Sequence, residues 1–244
     1  MYNYKLTIEY DGLNFNGWQK QKYTSNTIQE QIETSIEKLL RKEIKLIAAG
    51  RTDSGVSAHN QVANFKSHDK LDIMKFAYSL NSVLPETILI KKVLNVPLNF
   101  HSRYSAKKRD YVYKVTTKKK SLGRHYYYKI GFDPDFKNID TFFSFLKKQK
   151  NFGSLCKNGQ DKKNFICEIF DLNYRQMKSK NEILFFISAN RFLHSMVRAI
   201  FGCALEIGRG KIDIKNIKDK IKSGEKIPVH YLPANALFLN KIHY

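Results

Sequence analysis

The sequence predicts an α/β protein, and three observations lead to this class. Short segments alternate apolar and polar residues, as half-buried strands do, while longer segments repeat apolar residues at helical spacing. The order strand–helix–strand–strand–helix–strand, which is that of a ferredoxin-like unit, occurs in residues 1–104 and again, with one extra helix, in residues 105–244. The chain has 244 residues, of which 42% are hydrophobic, and this suffices for two packed cores. We therefore expect two ferredoxin-like lobes, residues 1–104 and 105–244, with antiparallel or mixed sheets that abut and an active-site cleft between them.

The first lobe opens with alternating apolar and polar residues from Tyr4 to Asp11, which predicts a strand. Thr27 and Glu30 form the pattern of a capping box, so a helix is expected to begin there. The later elements of this lobe are, in order, strands near residues 44–49 and 58–66, a helix over 71–81 and a strand over 87–94.

The second lobe repeats the same order of elements without repeating the sequence. Its predicted elements are a strand over 110–117, a helix over 139–150, a loop over 153–164, strands over 165–176 and 182–189, helices over 192–207 and 212–222, and a strand over 235–244.

The charge of the chain points to a polyanionic partner. It carries 43 Lys and Arg against 22 Asp and Glu, for a net charge of +21, and nucleic acid is the commonest partner of such a surface. A general bias toward lysine is the alternative explanation, although such a bias would not lower the number of acids.

The sequence lacks the patterns of a membrane helix, a signal peptide and a zinc site, and this predicts the compartment and the metal content of the protein. No apolar run approaches the roughly 20 residues of a membrane helix, and the N-terminal segment lacks the apolar centre of a signal peptide. We therefore expect a cytoplasmic protein with no membrane partner. The three cysteines, Cys156, Cys167 and Cys203, are odd in number and match no zinc spacing, so free thiols and no metal site are expected.

One carboxylate, Asp53, lies in a short loop between two predicted strands, in "AAGRTDSGVS". An aspartate in a turn is usually structural, because its side chain binds nearby backbone N–H groups. Here Arg51 is close enough to keep the carboxylate ionised and oriented, and Gly50 and Gly55 permit a backbone or a ligand to approach. A lone acid among cations suits RNA chemistry, because the cations hold phosphates while the acid acts on a sugar or base. Asp53 is therefore the candidate nucleophile or base.

The segment "GRTDSGV" resembles the signature Gly-Arg-Thr-Asp-x-Gly-Val of the tRNA pseudouridine synthase A family. Four further segments are similar to blocks of that family, in the same order, and the matches extend from residue 8 to residue 244: "YDGLNFNGWQKQ", "NFHSRYSAKKRDYVYKV", "NRFLHSMVRAIFG" and "LPANALFLNKIHY". The sequence departs from the family pattern at Ser57, where histidine is usual, and at Ala236, where glycine is usual.

The resemblance implies that Asp53 is the catalytic aspartate, which attacks the target nucleotide at the base or at the sugar C1′. The uracil then detaches, turns and rejoins through C5, an isomerisation that needs no cofactor and no metal. The target base must leave the stack to be reached. Arg51 is implied to occupy the space of the flipped base or to hold its phosphate.

The resemblance also assigns Tyr111, Arg198 and Leu237 to the site. Tyr111 is implied to stack on the uracil, although on its own its alternation with Tyr113 and Val115 predicts the core side of a strand. Arg198 is implied to pair with the catalytic aspartate, although its helical spacing alone predicts a solvated charge. Leu237 is implied to form part of the pocket wall.

The basic residues near these motifs are expected to position RNA, and the family resemblance implies a homodimer that holds a tRNA across both subunits. The implied targets are uridines 38, 39 and 40 in the anticodon arm. The candidate RNA-binding residues are Lys20, Lys22, Arg103, Lys107, Lys108, Arg109 and Arg124.

Two other functions are compatible with parts of the sequence. An aspartic protease needs two acids that share a proton, and this chain contains one Asp-Ser-Gly with an arginine beside it. A non-catalytic RNA-binding protein or chaperone on the same scaffold would have the same charge and aromatic content, but it would not need Asp53, Tyr111 and Arg198 together. Within the synthase interpretation, a paralogue with another RNA target stays open.

Overall fold

The computed structural model describes residues 1–157, 164–228 and 230–244. The chain divides into two compact units: unit 1 comprises Met1–Lys107 with Phe238–Tyr244, and unit 2 comprises Lys108–Leu237. Both units combine helices with a sheet, so the predicted α/β class is confirmed.

Unit 1 has the predicted order of elements. They are β1 (Tyr2–Tyr10), α1 (Ile28–Leu40), β2 (Ile47–Ala48), β3 (Ser57–Ser67), α2 (Ile73–Val83) and β4 (Ile88–Val96). β1 lies between β4 and β3 and is antiparallel to both, and β2 pairs with the far edge of β3 at Ala63 and Asn64. This β4–β1–β3–β2 arrangement of the split strand–helix–strand order is that of a ferredoxin-like unit.

Local sequence accounts for the first two elements of unit 1. Alternate residues of β1, among them Leu6 and Ile8, have no exposed surface, as the alternating pattern requires. The Thr27 hydroxyl accepts a hydrogen bond from the Glu30 backbone N–H at 3.3 Å, so the predicted cap starts α1.

Unit 2 contains more elements than the sequence predicts. They are β5 (Lys108–Thr116), β6 (Tyr128–Lys129), α3 (Phe136–Leu146), β7 (Ile169–Met177), β8 (Glu182–Ala189), α4 (Met196–Gly208) and α5 (Ile214–Ser223). β8 is antiparallel to both β5 and β7, while the unpredicted short strand β6 is parallel to β5. Phe143 of α3, Phe185 of β8 and Phe201 of α4 lie within 6.4 Å of one another, measured between ring centroids, and form the centre of its core.

The last strand, β9 (Leu237–His243), returns to unit 1 from residue 238 onward. It pairs in parallel with the beginning of β3, where Ser57 lies opposite Phe238 and Ala58 opposite Leu239. Since the other pairs of unit 1 are antiparallel, its sheet is mixed.

Three predicted boundaries differ from the structure for identifiable reasons. The helix expected from residue 192 begins at Met196, because Ser195 has a left-handed φ of 57° that a helix cannot contain. The helix expected over 139–150 begins earlier, at Phe136, because Asp135 caps it through the N–H groups of Lys137 and Asn138. The strand expected over 44–49 is reduced to Ile47–Ala48. Residues 158–163 of the predicted loop at 153–164 lie outside the described residues.

Candidate active site

The Asp53 loop, residues 50–56, connects β2 to β3 in unit 1 and is fixed through its backbone. The carbonyl of Thr52 accepts a hydrogen bond from the backbone N–H of Trp18 at 3.1 Å, and the carbonyl of Asp53 accepts one from Val56 at 3.1 Å. The side chain of Asp53 is half-buried. The hydrogen bonds to the carbonyls of Thr52 and Asp53 therefore fix the backbone of Asp53, from which the carboxylate extends.

Two buried side chains from neighbouring strands also hold the Asp53 loop. The hydroxyls of Tyr10 and Thr52 share a buried hydrogen bond of 2.7 Å, and the Gln61 side-chain amide donates to the carbonyl of Gly50 at 2.9 Å. Burial raises the pKa of Tyr10 to about 12, although its hydrogen bonds with Thr52 and Gln61 oppose this rise. The phenol is therefore neutral at physiological pH and acts only as a hydrogen-bonding support.

Two glycines of the preceding segment permit this close packing. A Cβ on Gly12 would lie 2.0 Å from the carbonyl oxygen of Val56, and one on Gly17, whose φ is +90°, would lie 2.8 Å from that of Thr52. At Gly50 the situation is the reverse, because a Cβ there would meet no described atom within 4 Å. The close approach expected at Gly50 is therefore not made by the described part of the protein.

Ser57, one of the two departures from the family pattern, has a structural role at the end of the Asp53 loop. Its buried hydroxyl accepts a hydrogen bond from the Gly12 backbone N–H at 3.0 Å and donates to a carboxylate oxygen of Asp11 at 3.3 Å. It thus ties the first residue of β3 to the end of β1. The other departure, Ala236, is completely buried.

In unit 2, β5 carries Tyr111 and Tyr113 in two different environments. Tyr113 is completely buried, and its ring lies 6.0 Å from that of Phe201. Tyr111 is only half-buried, and its ring meets Phe192 edge-on at 5.1 Å. The core placement that spacing alone predicts for both tyrosines therefore describes Tyr113 better than Tyr111.

Arg198 lies on α4, a helix with 11 of its 13 residues buried. The guanidinium Nε donates a hydrogen bond to the backbone carbonyl of Leu232 at 2.6 Å, and the side chain is half-buried. Spacing alone predicts a solvated charge here. That prediction is wrong because the segment that precedes β9 covers this side of α4.

We call this covering segment, residues 230–236, the strap. Its Pro233 carbonyl accepts a hydrogen bond from the Tyr113 hydroxyl at 2.9 Å. Its His230 carbonyl approaches α4 so closely that a Cβ on Gly202 would lie 2.1 Å from the oxygen. The strap is therefore in contact with both β5 and α4.

The end of the strap is attached to the basic, tyrosine-rich segment that follows β5. The Asn235 side-chain amide donates a hydrogen bond to the backbone carbonyl of His125. Leu237 comes directly after the strap and is 5% exposed, so its side chain is packed within the protein.

Comparisons with known proteins match this chain over most of its length. The family model described as tRNA pseudouridine synthase matches residues 6–105 and 149–244. The chain belongs to the tRNA pseudouridine synthase family. A tRNA pseudouridine synthase A of Thermoanaerobacter sp. strain X514 is 36% identical over 247 residues, covering 100% of both chains. That of Caldicellulosiruptor bescii is 39% identical, covering 93% of this chain and 96% of its own, and that of Bacteroides thetaiotaomicron is 35% identical, covering 100% and 91%.

The family is one of isomerases, and the chain is accordingly an enzyme of this class. Among the described residues, no group of three or more His, Cys, Asp or Glu side chains is placed to hold a metal ion. No helix within the described ranges is both long and apolar enough to cross a bilayer. All three cysteines are buried.

The basic residues expected to bind RNA divide into two groups in this synthase. The first group has partners within the protein: Lys20 lies 3.0 Å from Glu30, Lys108 lies 3.7 Å from Asp110, and Arg109 donates to the carbonyl of Asn190 at 2.6 Å. The second group consists of four further residues that are exposed, as Lys20 also is: Lys22, Arg103, Lys107 and Arg124. The Arg103 guanidinium lies 5.6 Å from the centre of the Tyr104 ring, and that ring is 76% exposed. This pair combines a charge with a stacking surface.

Arg51 is exposed and forms no ion pair with any described residue. The pairing with Asp53 that the sequence suggests is therefore not seen in the structure. The exposed side chain belongs to a residue two positions before Asp53 along the chain.

Sequence reasoning missed the residues that support the site. Tyr10 and Tyr113 both lie on alternating strands, and that pattern predicts ordinary core side chains. Gly12 gave a usable signal, since it belongs to the "YDG" block that resembles the family. Nothing in the pattern of residues 230–236 predicts the strap, because its contacts are made by backbone carbonyls.

Proposed function

We propose that this synthase converts uridine to pseudouridine in the anticodon arm of tRNA, at positions 38, 39 and 40, with Asp53 as the nucleophile. The observation that carries the proposal is the fixation of the Asp53 loop. Its half-buried carboxylate follows Thr52, whose backbone is held by Trp18 and whose hydroxyl is held by Tyr10. A reacting group held in place before the substrate arrives avoids the entropic cost of being positioned during the reaction.

The proposed reaction balances without a co-reactant. The glycosidic bond between N1 and C1′ breaks, the uracil turns, and a bond forms between C5 and C1′. C5 loses its proton and N1 gains one, so the product is an isomer of the substrate. Asp53 attacks the base or the sugar C1′, and the bond that it forms breaks again before the product leaves, so the carboxylate is regenerated. Either route requires the nucleotide to be flipped out of the stack.

The other site residues have roles that follow from their environments. Tyr111, with a half-buried ring, stacks on the uracil. Arg198 is the cation of the site, as the family resemblance implies, and its planar fork suits a carboxylate. Leu237 provides an apolar wall. Arg51 holds a phosphate or fills the space that the flipped base leaves.

The substrate and assembly form part of the same proposal. The net charge of +21 and the exposed Lys22, Arg103, Lys107 and Arg124 supply phosphate contacts, so binding is expected to weaken steeply with salt. The tRNA is held across a homodimer, as the resemblance implies, and the enzyme works in the cytoplasm.

Tritium release from tRNA labelled at uridine C5 tests the reaction. The wild type is expected to release tritium, and Asp53→Asn is expected to lower the rate on the order of 10⁴-fold or more, because the amide cannot attack. The matched control is Asp69→Asn, which alters an exposed aspartate that lies 2.7 Å from Lys42 and is expected to keep full activity. Thermal unfolding shows whether both variants are folded.

Transcripts that keep only one of uridines 38, 39 and 40 test the position. Release from each of them, abolished by Asp53→Asn, would support the whole proposal. Release only from uridines elsewhere would contradict the anticodon assignment. Tight tRNA binding without any release would favour a non-catalytic RNA-binding protein.

A further inference from the structure

The strap brings three backbone carbonyls into contact with α4 and β5 within four residues. The His230 carbonyl packs against Gly202, the Leu232 carbonyl accepts from Arg198 Nε at 2.6 Å, and the Pro233 carbonyl accepts from the Tyr113 hydroxyl at 2.9 Å. The Leu232 carbonyl lies in the planar peptide that joins it to Pro233, and the proline ring fixes φ of Pro233. Only rotation about ψ of Pro233 separates the acceptor of Arg198 from the acceptor of Tyr113, so a shift of one is expected to shift the other.

We propose that Tyr113 is a positioning residue: through Pro233 it holds the strap whose Leu232 carbonyl sets the orientation of the Arg198 guanidinium. The proposal rests on the proposed function, since it takes Arg198 as the cation of the site. It assigns to Tyr113 a part in the reaction that its complete burial alone does not indicate.

Tyr113 has the properties that a rigid support needs. Its ring is completely buried and lies against Phe201 of α4, so the position of the hydroxyl is set by the core. Burial raises the pKa of Tyr113 well above its usual value, although the nearby charge of Arg198 opposes this rise. The phenol therefore remains a hydrogen-bond donor to Pro233 throughout the physiological pH range.

Arg198 is sensitive to the position of its acceptor because the guanidinium is planar. The bond from Nε to the Leu232 carbonyl fixes one edge of that plane. The position of the Leu232 carbonyl therefore influences the directions of the N–H groups on the two terminal nitrogens of Arg198. A shift of the strap thus turns the guanidinium without removing its charge.

The competing explanation is that Tyr113 only stabilises the core, and Tyr4 offers a matched control. Tyr4 is 1% exposed, and its hydroxyl donates to the Asp69 carbonyl at 3.2 Å and accepts from the Leu71 N–H at 2.7 Å. Tyr113→Phe and Tyr4→Phe each remove a hydroxyl that binds a backbone carbonyl while keeping the buried ring. Both variants are expected to melt below the wild type.

Single-turnover tritium release and tRNA binding distinguish the two explanations. Tyr113→Phe is expected to lower kcat about ten-fold with an unchanged KM and Kd for tRNA, because one hydrogen bond is lost and the charge remains. Tyr4→Phe is expected to keep the wild-type kcat. A wild-type kcat in Tyr113→Phe would overturn the inference, and so would an equal fall in both variants.

A double-mutant cycle tests whether Tyr113 acts through Arg198. Arg198→Lys removes Nε and lowers kcat on its own, so adding Tyr113→Phe is expected to lower it no further. Independent, multiplicative losses would overturn the inference. If Tyr113→Phe does not fold, Gly202→Ala displaces the same strap from α4, and the same non-additivity with Arg198→Lys is expected.

The wild type in the same assay separates this inference from the proposed function. An inactive wild type would overturn both, whereas an active wild type with a fully active Tyr113→Phe would overturn only the role of Tyr113.

Discussion

The Asp53 loop in unit 1 and the strap in unit 2 are both irregular connections, but they are held in opposite ways. The Asp53 loop carries the proposed nucleophile and is held by the surrounding chain, through Trp18, Tyr10 and the close approach of Gly12. The strap carries no proposed catalytic group, and Arg198, the proposed cation, is one of the side chains that hold it. Changes near the loop should therefore displace the proposed nucleophile, while changes near the strap should turn the proposed cation.

Among changes to the residues that hold the loop and the strap, Gly12→Ala is expected to have the largest effect, because it disrupts the packing against the Asp53 loop. The new Cβ would lie 2.0 Å from the Val56 carbonyl oxygen and 2.5 Å from its carbon, so backbone must move. We expect a loss of about 2–4 kcal/mol in the free energy of unfolding and a fall of kcat of about 100-fold. Urea unfolding and single-turnover tritium release measure the two quantities.

Gly50→Ala is the control for this prediction, because the same loop offers open space there. Its free energy of unfolding is expected to lie within about 0.5 kcal/mol of the wild type. If Gly12→Ala were as stable and active as Gly50→Ala, the loop would not depend on its close packing against Gly12.

Gly202→Ala is the corresponding change at the strap, and its expected effect is smaller. Alanine in a helix usually stabilises by about 1 kcal/mol relative to glycine. Here the Cβ would lie 2.1 Å from the His230 carbonyl, so the strap must shift, and we expect a net loss of about 1–2 kcal/mol with a fall of kcat of about ten-fold.

The comparison variant for this change is Gly208→Ala in the same helix. Its Cβ would contact the side chains of Ile139 at 2.9 Å and Pro134 at 3.1 Å, not the strap. It is expected to alter stability while leaving kcat unchanged. Equal losses of kcat in both variants would mean that α4, not the strap, governs Arg198.

The remaining expected effect is absent at physiological pH, appears only at alkaline pH and concerns the tyrosine that supports each region. Burial raises the pKa of Tyr10 from 10.0 to about 12, so between these values the unfolded chain loses the proton and the native protein keeps it. The free energy of unfolding should therefore fall as pH rises from 10 to 12, by about 2 kcal/mol from this group.

Urea unfolding at pH 8 and at pH 11 measures this fall in the wild type, Tyr10→Phe and Tyr113→Phe. Burial also raises the pKa of Tyr113, so each phenylalanine variant should show a smaller loss of stability than the wild type. An unchanged loss in Tyr10→Phe would contradict the assignment of the alkaline effect to the Asp53 loop.

The elements that sequence could predict are those whose signals are local. The alternation in β1 and the cap at Thr27 both appear in the structure as expected, because a strand face and a helix end are fixed by residues within a few positions. The start of α4 was misplaced because Phe192 and Leu193 continue the apolar spacing, and only the backbone at Ser195 ends it.

The environment of the site residues depends on contacts between segments far apart in the chain. Arg198 and Leu232 are separated by 34 positions, and Tyr113 and Pro233 by 120. Backbone carbonyls accept those bonds, so no residue type in the strap signals them. The family resemblance identified Arg198 as important, but only the structure shows what holds it.

The position of β9 has a consequence for synthesis of the protein on the ribosome. The chain leaves unit 1 at Lys107 and returns at Phe238, where β9 pairs with Ser57 and Ala58 directly after the Asp53 loop. Until those residues emerge from the ribosome, Ser57 and Ala58 lack their β9 partners. About 130 intervening residues must be translated before unit 1 can be completed. A nascent chain interrupted anywhere in that interval therefore holds Asp53, the proposed nucleophile, beside a sheet that lacks its last strand.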